Sequence, residues 1–294
     1  MEVGSYPSSI AELATWRKQH GTTAEEARRR FVQFVILASI SSSSSAILAR
    51  LAFKGGNALR FVHGNQRSTL DLDFSAESDF PDSRMEIKAL MDMALGSREP
   101  RHQVRARCQS IHRKPPGLEK TLPTYILKIC FQLPEDRYYQ NIDERLAAGK
   151  TLSEVVEVEI TLNDVLCETS DEPLSPDARP LRVCTLDDIL AEKLRAMLQQ
   201  VPRKRSRPQD VYDVASMVRK HPTSIDPGKV SSFLVRKSIA RGVVAVKSAF
   251  NDEVRVKAAA SYDAEILPFT SELISFDEAW GEVLGFVAQL TIPD

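Results

Sequence analysis

Two aspartates one residue apart are the strongest chemical signal in this sequence: Asp71 and Asp73, in the run Leu70-Asp71-Leu72-Asp73-Phe74. Side chains alternate between the two faces of a strand, so a strand here places both carboxylates on one face and Leu70, Leu72 and Phe74 in the core. Two convergent carboxylates repel each other unless a cation lies between them. A divalent metal takes such oxygen ligands, so the pair predicts a metal site; charges that protect an exposed edge strand are the alternative.

Two consecutive glycines, Gly55 and Gly56, lie upstream of the aspartates, between a short strand and a predicted helix. Glycines at a helix start leave backbone N–H groups open to a phosphate, because no side chain keeps the ligand away from the backbone. A tight strand-to-helix turn without a ligand is the alternative. Together with the aspartates, the glycines predict a site for a metal–nucleotide complex.

The elements that must position these residues follow from the apolar periodicity and the turn signals. Strands are predicted at 52–54, 70–75, 104–112, 124–132, 155–162 and 181–184, and helices from 23, at 46–51, 57–62, 81–94, 185–200 and 209–219. The chain changes from strand-rich to helical near Thr185. We therefore predict an α+β protein with a mixed-sheet domain and N-terminal helices over 1–184 and a helical domain over 185–294.

Composition excludes several classes of protein. The chain has 294 residues, 43% hydrophobic and 27% charged, with a net charge of −1, so no global field attracts nucleic acid or membranes. No apolar run is long enough to span a bilayer, and the N-terminus lacks the pattern of a secretion signal. The cysteines form no CxxC pair, which argues against a zinc site. We expect a cytoplasmic protein with no membrane partner.

A glutamate pair and a lysine could also join such a site, each with an ordinary alternative. Glu157 and Glu159 share one face of the predicted strand 155–162, where they could supply a third carboxylate or a base, or form a solvated face. Lys193 lies beside the apolar stripe of its predicted helix, where it could reach a phosphate or extend its stem along the surface into water.

A basic loop precedes the last motif of the chain. Four cations close together could contact phosphate or RNA, or form an ordinary solvated loop: Arg203, Lys204, Arg205 and Arg207. Asp210 follows at the start of a helix, where it could be a general base or a helix cap.

Three motifs in this order resemble the AbiEii/AbiGii toxin family of minimal nucleotidyltransferases. The first is Lys54-Gly55-Gly56 with Ala58-Leu59, followed by Arg67-x-Thr69-x-Asp71-Leu72-Asp73-Phe74. The second is Glu192-Lys193-Leu194-Arg195-Ala196, and the third is Arg207-x-x-Asp210-Val211-Tyr212-Asp213. Together they bracket the chain from Phe53 to Val214, and the resemblance implies a nucleotidyltransferase-like sheet followed by a helical C-terminal domain.

The resemblance also implies roles for individual residues. Asp71 and Asp73 would bind Mg²⁺ or Mn²⁺, and Asp210 would be an acidic residue able to act as a base. Binding of the NTP would fall to Lys54, Gly55, Gly56, Asn57, Arg67, Thr69 and Lys193. Separately from the resemblance, the charge of the basic loop predicts acceptor contacts at Arg203, Lys204, Arg205 and Arg207. Because the motifs come from both halves of the chain, we expect them to converge on one site.

The implied activity is the transfer of a nucleoside monophosphate from an NTP to an acceptor, with pyrophosphate leaving. Such proteins are similar to toxins of two-gene toxin–antitoxin or phage-defence systems, so a cognate antitoxin encoded nearby is an expected partner. The basic loop favours RNA, with tRNA as one candidate, over a small molecule or a protein as acceptor. A nucleotide-binding interaction protein without turnover is the alternative from another class, which the intact carboxylate pair disfavours.

Overall fold

The computed structural model describes residues 6–115, 122–175 and 178–294. Within these ranges the chain forms seven strands: β1 (Ala52–Lys54), β2 (Leu72–Ala76), β3 (Arg105–Lys114), β4 (Thr124–Gln132), β5 (Val155–Leu162), β6 (Thr169–Glu172) and β7 (Leu181–Cys184). They lie in one sheet in the order β3-β4-β5-β2-β1-β7-β6. The pairs β2/β5 and β1/β7 are parallel, whereas β1/β2, β3/β4 and β4/β5 are antiparallel, so the predicted mixed sheet is confirmed.

Helices make up most of the remaining described chain. They are α1 (Leu13–Gln19), α2 (Ala24–Ser41), α3 (Ala46–Ala49), α4 (Gly55–His63), α5 (Arg84–His102), α6 (Ile142–Ala147), α7 (Leu186–Leu198), α8 (Pro208–Lys220), α9 (Pro227–Ala240), α10 (Asp252–Ala259), α11 (Tyr262–Ile266) and α12 (Phe276–Gln289). Short 3₁₀ helices lie at Ile10–Glu12, Lys247–Ala249 and Leu267–Phe269. Among the described helices, none combines the length and apolar character needed to cross a membrane.

Short polar caps determine where several helices begin. Thr23 Oγ1 accepts a hydrogen bond from Glu26 N at 3.1 Å, which caps α2 as its sequence predicts. Thr185 caps α7 in the same way, and Pro208 occupies the first turn of α8, where a missing N–H costs no hydrogen bond.

The described chain divides into two compact units. The first comprises Met1–Gly55, Leu70–Asp164 and Ser170–Val183. Its core forms because strand positions alternate: Val156, Val158 and Ile160 on β5 are buried, and the intervening residues are half-exposed. Phe53 and Phe74 are register partners on β1 and β2, and their ring centroids lie 5.3 Å apart in the core. Burial of two such rings stabilises the pairing of these strands by several kcal/mol, about 2 to 3 for each ring.

The second unit comprises Gly56–Thr69, Val165–Thr169 and Cys184–Asp294. Helix α7 packs on α8 and α9, and α8 packs on α12. The predicted domain boundary at 184/185 stays a prediction, and this grouping adds two earlier segments to the helical part of the chain.

Two details near the predicted aspartate strand differ from the sequence-based expectation. The strand begins at Leu72, so Asp71 precedes it, and Leu70 is 50% exposed instead of lying in the core. Leu72 and Phe74 are buried as the alternation predicts, but the alternation does not extend to Leu70, before the strand begins. In addition, α4 begins at Gly55, so the glycines form its first turn instead of breaking the chain before it.

Candidate functional site

The predicted metal pair lies on the polar side of the central strands of the first unit. Asp73 on β2 is the register partner of Glu159 on β5 and of Lys54 on β1, so the three side chains share one face of the sheet. Asp71 lies one residue before β2, and Glu157 lies two residues before Glu159 on that face. Four carboxylates therefore line this region.

The carboxylates influence one another electrostatically. Partial burial, together with the negative charges of Glu159 and Glu157, raises the pKa of Asp71 to about 6. In the part of the chain that the structure describes, no three His, Cys, Asp or Glu side chains come close enough to form a metal cluster by themselves. The pair of Asp71 and Asp73 still fits Mg²⁺, because this metal is commonly bound by one or two carboxylates completed by water and substrate phosphates.

Position 55 requires a glycine because its backbone lies against one of the two predicted metal-binding aspartates. Gly55 has a φ of +74°, in the left-handed region that favours glycine. A Cβ at this position would overlap the carboxylate of Asp73. The backbone of Gly55 therefore lies directly against a predicted metal ligand, and any side chain there displaces that ligand.

Lys54, predicted to bind nucleotide, forms an ion pair within the first unit. Its Nζ lies 2.5 Å from Asp164 Oδ2, and Ser75 Oγ donates to the same oxygen at 2.6 Å. Asp164 is nearly inaccessible to solvent. The sequence carried no signal for Asp164, which is a single aspartate in the loop after β5.

A buried network of charged side chains connects the remaining motif residues in the second unit. Asp213 accepts hydrogen bonds from Arg67 Nε at 2.8 Å and Nη2 at 2.7 Å. Lys193 Nζ donates to Asp213 at 2.6 Å and to Asp210 at 3.1 Å, and Asn65 Nδ2 donates to Asp213 at 2.8 Å. Lys193 is thus buried in this network instead of extending along the surface.

Charge pairing in this network outweighs the penalty of burial. Burial alone would raise the pKa of Asp213, but the cations of Arg67 and Lys193 hold that pKa below its usual range. Conversely, burial would lower the pKa of Lys193, but Asp213 and Asp210 raise it. Both groups are therefore charged at neutral pH.

One oxygen of Asp210 differs from the rest of the network. Its Oδ1 accepts from Lys193, whereas its Oδ2 is buried and has no hydrogen-bond partner among the described residues. Arg207 Nη1 lies 3.9 Å from Oδ2, which is too far for a hydrogen bond. A buried acceptor without a donor is costly, so this oxygen is available to a ligand.

The second glycine lies against the loop that carries Arg67. A Cβ on Gly56 would come within 2.5 Å of Thr69 Cγ2 and 2.8 Å of Arg67 Nη2. The Nδ2 of Asn57, a fully buried residue, donates to Thr69 O at 3.3 Å, so this amide holds the loop. Thr69 Oγ1 is buried and has no hydrogen-bond partner among the described residues.

The basic loop is held by the end of α7. Arg203 N donates to Gln199 O at 3.1 Å, Arg205 N to Gln200 O at 3.0 Å, and Arg207 N to Gln200 Oε1 at 2.7 Å. A fixed loop keeps its cations close together at a small entropic cost on binding.

The loop is electropositive. Three of its cations are exposed and have no acidic partner within the described ranges: Arg203, Lys204 and Arg205. Burial lowers the pKa of Arg203, and the neighbouring charges of Arg195, Arg241, Arg207 and Arg205 lower it further. The positive cluster therefore extends beyond the loop to Arg195 on α7 and Arg241 after α9.

His63, at the end of α4, is held neutral. Burial and the charge of His221 lower the pKa of His63 to about 4, and its Nε2 has no partner among the described residues. His221 forms a hydrogen bond to His63 O at 2.9 Å.

Comparison with known families identifies the family to which the chain belongs. A family model described as the nucleotidyl transferase AbiEii toxin of a type IV toxin–antitoxin system matches residues 36–282. The chain belongs to the AbiEii nucleotidyltransferase toxin family. The resemblance inferred from the three motifs is thereby confirmed, and so is the enzyme class.

Solved structures show the same fold for this AbiEii protein. MenT4, a nucleotidyltransferase toxin from Mycobacterium tuberculosis H37Rv, has a TM-score of 0.58 and 19% identity, over 96% of this chain and 90% of that one. JHP933 from Helicobacter pylori has a TM-score of 0.51 and 13% identity, over 89% of each chain. A search of curated protein sequences found no match.

Membership of the AbiEii family implies an antitoxin partner, since the family is defined by a toxin–antitoxin system. The roles of individual residues stay predictions. Sequence reasoning gave no role to Asp213 or Asn65, although both belong to the buried network. The signal for Asp213 was present: it lies three residues after Asp210, on the same face of α8.

Proposed function

We propose that this nucleotidyltransferase uses Mg²⁺ or Mn²⁺ to transfer a nucleoside monophosphate from an NTP to an RNA acceptor, with tRNA as one candidate. The observation that carries the choice of RNA is the basic loop 203–207, whose backbone is held by hydrogen bonds. Three of its exposed cations, Arg203, Lys204 and Arg205, have no acidic partner among the described residues. A phosphodiester backbone supplies several negative charges to such a surface. A cognate antitoxin would neutralise the activity, and a cytoplasmic location would give access to NTP and RNA.

Each group of residues has a distinct role in this proposal. Asp71 and Asp73 hold the metal, which supplies charge neutralisation at the phosphates when bound. Gly55, Gly56 and Asn57 lie in the first turn of α4, whose backbone N–H groups and positive dipole end suit the triphosphate.

In this proposal, the buried network of the second unit supplies a cation that binds phosphate. Lys193 has three ammonium hydrogens, of which Asp210 and Asp213 take two, so the third can bind a phosphate oxygen. Asp213 and Asp210 keep Lys193 charged, and their hydrogen bonds hold its ammonium group in place.

The reaction forms a bond between an acceptor hydroxyl oxygen and the α-phosphorus. It breaks the bond between that phosphorus and the bridging oxygen of the departing pyrophosphate. Asp210 accepts the hydroxyl proton at its Oδ2, which has no donor of its own in the described structure. Most of the rate enhancement then comes from positioning and electrostatics.

The first experiment tests the reaction. The protein is incubated with each labelled NTP, total RNA and Mg²⁺ or Mn²⁺, with EDTA as the control. We expect metal-dependent label in RNA from the wild type and at least about 10²-fold less from Asp73→Ala, by analogy with the loss of one electrostatic stabiliser. Label in a protein or small-molecule fraction, with none in RNA, would contradict the proposed acceptor. Undiminished transfer by Asp73→Ala would remove its metal role.

The second experiment tests the loop. Replacing Arg203, Lys204 and Arg205 with Gln should weaken RNA binding and reduce its salt slope, by up to about 0.7 per lost contact on a single strand. NTP affinity should not change. A triple variant of Arg17, Lys18 and Arg84 removes the same charge from exposed positions of the first unit and is the matched control. Equal salt slopes for the two triple variants would show that the loop does not bind RNA.

A further inference from the structure

We propose that Gln33 on α2 is a positioning residue that fixes the backbone carrying Asp71; this inference rests on the proposed metal role of Asp71. Asp71 lies outside the β-ladder, whose pairing with β5 begins at Leu72. The preceding Leu70 is 50% exposed, so burial of its side chain does not hold the segment. A contact outside the ladder is therefore needed to hold the carbonyl of Leu70, the group just before the aspartate.

Gln33 provides that contact within the first unit. Its side chain is fully buried, and its Nε2 donates to Leu70 O at 2.8 Å. This carbonyl belongs to the peptide group that joins Leu70 to Asp71, so the hydrogen bond fixes the plane from which the Asp71 side chain departs.

Arg30 determines the orientation of the Gln33 amide. Arg30 Nη1 donates to Gln33 Oε1 at 3.0 Å, and an arginine can only donate. The oxygen of the amide must therefore face Arg30, and its NH₂ group must face the carbonyl of Leu70. A flipped amide would lose both hydrogen bonds.

Arg30 is itself held from two sides. Its Nε donates to Glu26 Oε1 at 2.8 Å, and its guanidinium carbon lies 5.8 Å from the centre of the Tyr6 ring. Arg30 is completely buried, and a buried charge is a poor source of stability compared with an apolar side chain of similar size. The chain of contacts from Glu26 through Arg30 and Gln33 thus ends on the backbone beside a predicted metal ligand.

The test replaces Gln33 and measures metal binding and local order. Gln33→Met keeps a long unbranched side chain and removes both hydrogen bonds. Gln33→Glu keeps the pairing with Arg30 and replaces the donor to Leu70 O with an acceptor oxygen, so it covers the case in which the methionine variant folds poorly. Ser39→Ala is the control, because Ser39 is buried on the same helix but, among the described residues, its hydroxyl bonds only to Val35 O within that helix.

Mn²⁺ alone is titrated into each protein, and free Mn²⁺ is followed by electron paramagnetic resonance. We expect both Gln33 variants to bind Mn²⁺ about 10-fold more weakly, the usual effect of losing a residue that orients a metal ligand. Hydrogen exchange of the amides of Asp71 and Leu72 should become faster. In transfer assays, the KM for Mn²⁺ should rise while kcat at saturating metal falls less. Ser39→Ala should match the wild type in all three measurements.

Two results would overturn the inference alone, and a third would also overturn the proposed metal site. Wild-type Mn²⁺ affinity in both Gln33 variants, when Asp71→Asn has lost binding, would show that Gln33 does not position the ligand. An equal loss in Ser39→Ala would assign the effect to α2 as a whole. If the wild type binds no Mn²⁺, or if Asp71→Asn and Asp73→Asn bind as the wild type does, the proposed metal site fails and this inference fails with it.

Discussion

Replacing Asp213 with Asn should destabilise the protein more than any other single change in the buried network. Asp213 is fully buried and accepts four hydrogen bonds from three side chains: Arg67, Lys193 and Asn65. Asparagine has nearly the same shape, but it carries no charge and has only one oxygen to accept with. The guanidinium of Arg67 would then be left in the interior without its carboxylate.

The size of the effect follows from the type of contact that is lost. Removing one member of a buried ion pair costs about 3 to 5 kcal/mol, because the other charge stays buried and uncompensated. Hydrogen bonds to charged groups contribute about 1.5 to 3 kcal/mol each, but contacts within one network do not add. Lys193 also keeps its bond to Asp210. We therefore expect the free energy of unfolding to fall by about 4 kcal/mol.

The stabilising contribution of Asp213 depends on the pH of the measurement. The pKa of Asp213 is lowered in the folded state, so its stabilising contribution is complete above the unfolded pKa of about 4 and is lost as the pH falls through the folded value. Urea unfolding at pH 7, followed by circular dichroism, compares the two proteins where the contribution is complete.

Asp210→Asn is the matched control, since Asp210 lies on the same helix and contacts the same lysine. It accepts only one hydrogen bond, at 3.1 Å, and its other oxygen has no partner in the described structure. We expect Asp210→Asn to cost about 1 kcal/mol while nucleotidyl transfer is lost. A cost below about 1 kcal/mol for Asp213→Asn, or equal costs for the two variants, would refute the assignment of Asp213 as the centre of the network.

Three further changes test separate parts of the structure. Gly55→Ala should abolish metal binding by titration, because its Cβ overlaps the adjacent carboxylate, whereas Gly64→Ala has a similar φ of +67° with open space around it and should retain binding. Glu159→Gln should lower the pKa of Asp71, measured by carboxyl NMR, only part of the way towards 4, because the partial burial remains. An unchanged pKa would show that Glu159 does not interact with Asp71. In the wild type, the free energy of unfolding should fall by about 2 kcal/mol between pH 7.5 and 5, because the unfolded His63 (pKa about 6.5) binds a proton that the folded one (pKa about 4) does not. His63→Gln should remove this loss in urea unfolding. Identical pH profiles for the two proteins would contradict this.

The sheet and most of its strands could be predicted because period-two alternation is a local property. Strand β5 illustrates this, since its apolar positions alternate over the whole element and its bounds, Val155–Leu162, agree with the prediction. Leu70 shows the limit: alternation continues in the sequence beyond the last paired residue, and the sequence does not mark where hydrogen bonding with a neighbour ends.

The site could be predicted as a set of residue types but not as a set of contacts. Lys193 beside an apolar stripe suits either the surface or a buried pair, and only the packing of α7 on α8 decides which is present. Asp164 and Gln33 belong to no motif, although Gln33 interrupts the apolar run Phe31 to Leu37 of α2, which marks a buried polar contact. The convergence of the motifs from both halves of the chain on one site stays a prediction.

The bond between Arg67 and Asp213 also has a consequence for the time at which a toxin becomes competent during its own synthesis. The two residues are separated by 146 positions in the chain. At about 5 to 20 residues per second, Arg67 is added to the chain roughly 7 to 30 s before its partner carboxylate is made. Lys193 likewise precedes Asp213 by 20 positions. A truncated or stalled chain that ends before α8 therefore cannot assemble the charged network, and the segment that contains the glycines and Arg67 stays incomplete until most of the protein has been translated.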